Sequence, residues 1–140
     1  MRRMMSLLLT LLLFSLCAMA ETPDAITFTD PVLEAMIRKQ MGRPEGDITA
    51  AEAETVIDLN MNREAEGDPA IKDISSLAPF INLSYLSLIG HEITDISVLE
   101  NMWNLKTLDL GGNRVTDLSP LSKLPLDTMA VWGKIGRAHV

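Results

Sequence analysis

From Asp73 onward the apolar positions of this chain recur every 22 residues. The stretch DISSLAPFINLSYLSLIGHEIT (73–94) is followed by DISVLENMWNLKTLDLGGNRVT (95–116). Ile74 falls on Ile96 and Leu118, Leu77 on Leu99 and Leu121, and Phe80 on Met102 and Leu124. A third copy, DLSPLSKLPLDTMAVWG (117–133), drops one residue near Pro125 and resumes. Leu126 then matches Leu83 and Leu105, Met129 matches Leu86 and Leu108, and Val131 matches Leu88 and Leu110. A fixed period of this size with an L-x-L core predicts a leucine-rich solenoid. Each L-x-L is a short parallel strand, leucines inward and the intervening residue outward. One turn cannot bury its own leucines, so neighbouring turns share one apolar column. With six such side chains per turn at roughly 1.5–3 kcal/mol each, burial contributes on the order of 10 kcal/mol per turn before chain entropy is subtracted.

Upstream, VIDLNMNR aligned on TLDLGGNR reads as a partial first turn. It predicts a strand over Val56–Leu59 and seven additional residues, EAEGDPA (64–70), on the following loop. Before that the period changes to that of helices. In TDPVLEAMIRKQMG, Asp30 is placed as N-cap, Pro31 opens the helix, and Leu33, Met36, Ile37 and Met41 form one stripe. Gly42 is placed to end it. Thr49 and Glu52 have capping-box spacing for a second, short helix. The expected architecture is therefore an α/β solenoid. A helical cap region over 21–55 precedes repeats over 56–133, with the short parallel strands on the concave face.

The first twenty residues stand outside this pattern. A basic MRRMM, the apolar run SLLLTLLLFSLCA and Ala18-Met19-Ala20 predict a signal peptide over 1–20, cleaved before Glu21. Acylation of Cys17 is a competing reading, disfavoured by Leu16 before it. Cleavage removes the one cysteine, so no disulfide and no thiol chemistry is expected. The expected localisation is secreted or cell-surface, without membrane insertion after cleavage. The register also fails at the other end, where Asn at 134, an apolar residue at 136 and Asp at 138 are required. The chain has Lys134, Gly136 and Ala138. Ile135–Val140 back-translates into a stretch resembling a short-read sequencing adapter, so 134–140 is expected to be a non-native tail.

Charge narrows the partners. The chain carries 12 basic and 19 acidic residues, net −7. Without Arg2 and Arg3 the balance is 10 against 19, net −9. That argues against nucleic acid and anionic membranes as partners. Asn113, just inside the turn after its strand, can donate and accept between adjacent turns where water does not reach. Asn62 is expected in the same column in the turn before the insertion, and His91 holds it in the repeat between, as structural ladder residues. Asp73, Asp95 and Asp117, each two before a serine, are expected to cap the next short turn. Asp58 and Asp109 share a face on the order of 10 Å apart. No pocket signature, phosphate loop, triad or metal spacing accompanies them, so no enzyme, cofactor or metal is expected.

The run ITDISVLENMWNLKTLDLGGNRVTDLSPLSKL resembles the repeat consensus of internalin-type leucine-rich repeat proteins. FTDPVLEAMIRKQMGRPEGDIT resembles the helical cap that precedes such repeats in secreted bacterial proteins. The resemblance implies recognition of a protein or surface glycan through the concave face. Outward strand positions are Val56, Asp58, Asn60, Tyr85, Ser87, Ile89, Thr107, Asp109, Gly111, Thr128, Ala130 and Trp132. Tyr85, Ser87, Ile89, Thr107, Asp109, Thr128 and Trp132 are the expected partner contacts, with Tyr85, Ile89 and Trp132 conspicuous as aromatic or apolar groups facing solvent. An alternative is a non-catalytic repeat portion of a larger secreted enzyme or cell-wall-attached adhesin.

Overall fold

The computed structural model describes residues 24–132. The signal-peptide and tail expectations lie outside the described residues. Helix α1 spans Pro31–Met41 and α2 spans Ala50–Ala53. Four strands follow, β1 (Asp58–Asn60), β2 (Tyr85–Ser87), β3 (Thr107–Asp109) and β4 (Thr128–Ala130). They form one parallel sheet in chain order. Each return path contains a 3-10 turn, at Ser75–Leu77, Ser97–Asn101 and Ser119–Leu121. This is the leucine-rich solenoid the period requires. No helix among the described residues is long and apolar enough to cross a membrane.

The local signals act as expected. Asp30 Oδ1 accepts from Val32 N at 2.8 Å and Leu33 N at 3.1 Å. Gly42 closes α1 in the left-handed conformation, φ 64°, which lets Arg43 N reach back to Arg38 O at 2.9 Å. The Thr49–Glu52 capping box is complete. Each 3-10 turn is capped by its aspartate: Ser75, Ser97 and Ser119 donate their N–H groups to Asp73, Asp95 and Asp117, all at 2.8 Å. Those backbone bonds hold the Asp73 and Asp117 carboxyls below the usual range.

Leu33 and Ile37 of α1 are fully buried against the first turn. Gln40 Nε2 donates to Asn60 O at 3.1 Å, so α1 also occupies the outer edge of β1. The core then runs along the stack as shared columns, with Leu59, Leu86 and Leu108 all at 0% exposure. Met129, which continues that column in β4, is 49% exposed. Leu126 and Val131 are only partly buried. Among the described residues no turn packs on the far side of β4, which is the physical reason.

The first turn departs from the expected alignment. Leu59 pairs with Leu86, not with the next leucine of the repeat. Met61, not Leu59, takes the Leu88 and Leu110 position, and the strand begins at Asp58, two residues later than expected. From Leu59 to Ile71 is twelve positions where Leu86 to Ile93 is seven, so this loop is longer by five residues rather than seven. Ile57, expected inward, is 57% exposed, while Val56, expected outward, packs against the core. Both registers are open to the strand itself, because VIDLNM alternates and a shift of two preserves the facing of Asp58, Leu59 and Asn60, whereas Val56 and Ile57 lie before the strand and are not bound by it. The exit from α2 decides between the registers: Thr55 N and Val56 N still bond back to Glu52 O and Ala53 O, at 3.1 Å each. The chain therefore enters the sheet late. This register makes a prediction. Met61→Ala should cost about 2–5 kcal/mol, and Ile57→Ala no more than about 0.5 kcal/mol. Urea melts of the two variants check it, and the reverse ranking would restore the sequence alignment.

Candidate functional site

Three outward columns cross the sheet. The first is Asp58, Tyr85, Thr107 and Thr128; the second is Asn60, Ser87, Asp109 and Ala130. Ladder bonds continue past the strands, from Arg63 N to Ile89 O, Gly90 N to Gly111 O and Gly112 N to Trp132 O. They align a third column of Asn62, Ile89, Gly111 and Trp132. Asp58, Asn60 and Thr128 are exposed, and Tyr85, Ile89, Thr107 and Asp109 are half-buried. Trp132 is 60% exposed. It lies over Gly111, where a Cβ would sit 2.6 Å from the indole Cε2.

Two expected roles are corrected here. Ser87 is on this face but only 1% exposed, and its hydroxyl donates to Asn62 Oδ1 at 2.8 Å. A small side chain between strands is roofed by the neighbouring turn's amide, so Ser87 is withdrawn from partner contact. Asn62 is not in the Asn113 column, because of the two-residue shift. Its Oδ1 accepts from Ser87 Oγ and from Ile89 N, both at 2.8 Å, which ties β1 to β2 on the outer face.

The ladder proper is His91 and Asn113, and both bonds of His91 have a counterpart at Asn113, which also donates to Leu110 O at 3.0 Å. Asn113 Oδ1 accepts from Ile93 N at 3.1 Å, and Nδ2 donates to Leu88 O of the preceding turn at 2.6 Å. His91 Nδ1 accepts from Ile71 N at 3.1 Å, and Nε2 bonds Met61 O of the preceding turn at 2.6 Å. This assigns the neutral tautomer with the proton on Nε2. Burial, joined by the Arg63 charge, holds the His91 pKa below 6.5, against the Met61 carbonyl and the Asp30 carboxylate. A depressed histidine leaves stability complete above pH 6.5. Below that the unfolded chain takes the proton first, and stability falls until the folded pKa is passed, at up to about 1.4 kcal/mol per pH unit. His91→Asn should keep the ladder and abolish this slope, measured as urea midpoints between pH 7.5 and about pH 4.5. A slope unchanged in the variant would mean that His91 is not its source.

The sequence alone did not reveal three further groups. Asp30 Oδ2 accepts from Lys72 N at 2.8 Å and Asp73 N at 3.1 Å. With His91 on Ile71, three consecutive N–H groups are held by two side chains: Asp30 ties the helical region to the first turn, and His91 ties the second turn to it. Burial works against the Asp30 charge, but its four backbone donors outweigh this and hold the carboxyl below the usual range. Asn82 and Asn104 form a second ladder on the opposite edge. Asn82 Nδ2 donates to Glu54 O at 2.8 Å, and Asn104 Nδ2 donates to Asn82 Oδ1 at 3.1 Å. Their 22-residue separation was the available signal. Arg63 gathers the long first loop, donating to Asp68 O at 2.8 Å and to Glu66 O.

That loop overhangs a shallow cleft of about 460 Å³ lined by Arg63, Glu92, Arg114 and the two ladder residues. Within it Glu92 is ion-paired with Arg114 at 3.2 Å and with Lys72 at 3.8 Å. Asp58 and Asp109 stand in different columns, two strands apart, and neither lines this cleft. No cluster of three or more His, Cys, Asp or Glu able to hold a metal occurs among the described residues. The strand face is left as the candidate site.

No protein-family model and no curated protein matches the sequence. Solved structures do match. An internalin (InlF) from Listeria monocytogenes aligns with a TM-score of 0.57 at 24% identity, over 81% of this chain and 40% of its own. The CBM51-2 and INT domains of Clostridium perfringens ZmpB align at 0.49 and 21% identity, over 62% of this chain and 18% of theirs. Internalin C2 from Listeria monocytogenes aligns at 0.45 and 19%, over 85% and 83%. The InlF likeness establishes an internalin-type leucine-rich repeat fold. The chain spans about two fifths of the length of InlF.

Proposed function

We propose that this is an exported recognition protein that binds a protein or surface glycan on the face built by β1 to β4. The observation that carries the reading is the presence of Tyr85, Ile89 and Trp132 on one continuous sheet surface, aromatic or apolar side chains of which Trp132 is 60% exposed and the other two are half-buried. Tyr and Trp anchor interfaces because they present large area with few rotors. The internalin-type fold supports it by analogy, since stacked turns make an extended surface rather than a pocket. Export rests on the Ala18-Met19-Ala20 pattern and the apolar run before it. N-terminal sequencing of the protein from culture medium should begin at Glu21, and a lipid-modified Cys17 would replace export with anchoring.

The binding test uses labelled protein on a panel of intact cells, read by flow cytometry. A Tyr85→Ala, Trp132→Ala double variant should lose binding by about tenfold or more. Ile81→Ala, Trp103→Ala serves as control, because those exposed apolar groups lie off the strand face. Loss confined to the control pair, or equal loss in both, would refute the strand face as the site.

A further inference from the structure

We propose that the anchor point of this face is a cation site, where the outer surface of Trp132 and the carboxylate of Asp109 take an arginine or lysine side chain of a protein partner. The proposal rests on the strand face being the recognition surface, and it names what is recognised there.

The geometry begins at Gly111. A Cβ on that residue would lie 2.6 Å from Trp132 Cε2 and 2.9 Å from both Nε1 and Cζ2, two of the three ring atoms bonded to Cε2. Equal and slightly longer distances to those two atoms mean that the approach is perpendicular to the ring. An approach in the ring plane would bring Nε1 closer than Cε2. The indole therefore lies flat on Gly111, one face against the backbone and the other turned to solvent, in a residue 60% exposed. Any side chain at 111 would lift it. The glycine acts here by leaving room, not by backbone freedom.

Chemistry then selects the ligand. Asp109 Oδ1 accepts from Gly111 N at 2.9 Å, which turns the carboxylate toward the residue beneath the indole. Asp109 has no ion-pair partner among the described residues. The outward strand positions include Asp58 and Asp109 but no lysine or arginine. An indole face is electron-rich and attracts cations. An ionised carboxylate only accepts hydrogen bonds. A donor carrying positive charge satisfies the ring face and the unpaired carboxylate together, and a guanidinium can stack and pair at once. A sugar would need donors beside the ring as well. Its nearest strand neighbours are Gly111 and Ala130, which have no side-chain donor to offer.

The test titrates the full chain, in a Trp103→Phe background so that emission reports Trp132, with a short oligoarginine peptide and separately with a neutral chitin oligosaccharide. Calorimetry supplies affinities for the variants. The peptide should quench Trp132 and the oligosaccharide should not. Asp109→Asn and Trp132→Ala should each weaken the peptide about tenfold. Glu100→Gln, the same change of charge on a 3-10 turn away from the sheet, should stay within about twofold. Gly111→Ala, checked for folding by circular dichroism, should weaken binding by lifting the indole. Equal loss in Asp109→Asn and Glu100→Gln would reduce the effect to net charge and overturn the site, as would oligosaccharide binding without peptide binding. Should those variants bind peptide normally while the Tyr85, Trp132 pair still loses cell binding, the cation site fails and the strand-face reading stands. Loss of neither sinks both.

Discussion

Asp30→Ala should destabilise the fold by about 3–5 kcal/mol, much more than an ordinary helix cap. The carboxylate serves four backbone N–H groups, Val32 and Leu33 in its own helix and Lys72 and Asp73 in the first turn. Loss of an N-cap alone costs typically about 1 kcal/mol. Two further N–H groups, 42 and 43 residues away, then lose their acceptor, at about 1–3 kcal/mol each. Hydrogen exchange should show α1 and the Ile71–Asp73 segment losing protection together, since one side chain joins them. Asp30→Asn should fall between, because one amide oxygen cannot replace two carboxylate oxygens. The pH sign follows from the depressed pKa. The contribution is fully present above the ordinary carboxyl value of 3.8 and is lost as pH falls through the folded value. The variant's stability should therefore converge on that of the parent in strong acid. An Asp30→Ala effect near 1 kcal/mol, with α1 alone deprotected, would reduce Asp30 to a simple cap.

Phe80→Ala should cost about 3–5 kcal/mol. Phe80 is the bulkiest member of its column, is fully buried, and has Met102 in the same position of the next turn. Backbone bonds fix the turns at the strand side, from Ser84 N to Ile57 O at 2.7 Å and from Lys106 N to Ser84 O at 2.8 Å. The stack therefore cannot close over the void, and the cavity term adds to the lost burial. Leu124→Ala in the same column should cost no more than about 1–2 kcal/mol, because Leu124 is only partly buried. Equal costs in denaturant melts would mean that the far side of the third turn is covered as well as the near side.

Periodicity determined the part of this protein that repeats. The inward columns, the capping aspartates and the ladder place of His91 each have an image one period away, and a single sequence displays that image directly. Helix α1 was equally legible because its signals are local: Asp30, Pro31 and Gly42 act within a turn of themselves. The tertiary structure alone decided what has no such image. The register of β1 depended on how the chain leaves α2, since alternation at 57, 59 and 61 permits either pairing. Ser87 was withdrawn from the recognition face by Asn62 of the neighbouring turn. Asp30 reached a segment more than forty residues away, where no spacing rule points. Trp132 became a flat platform because the residue beside it one turn earlier is glycine, a packing relation between two unlike residues. Repetition encodes contacts between equivalents, and contacts between unlike segments form only when the chain has folded.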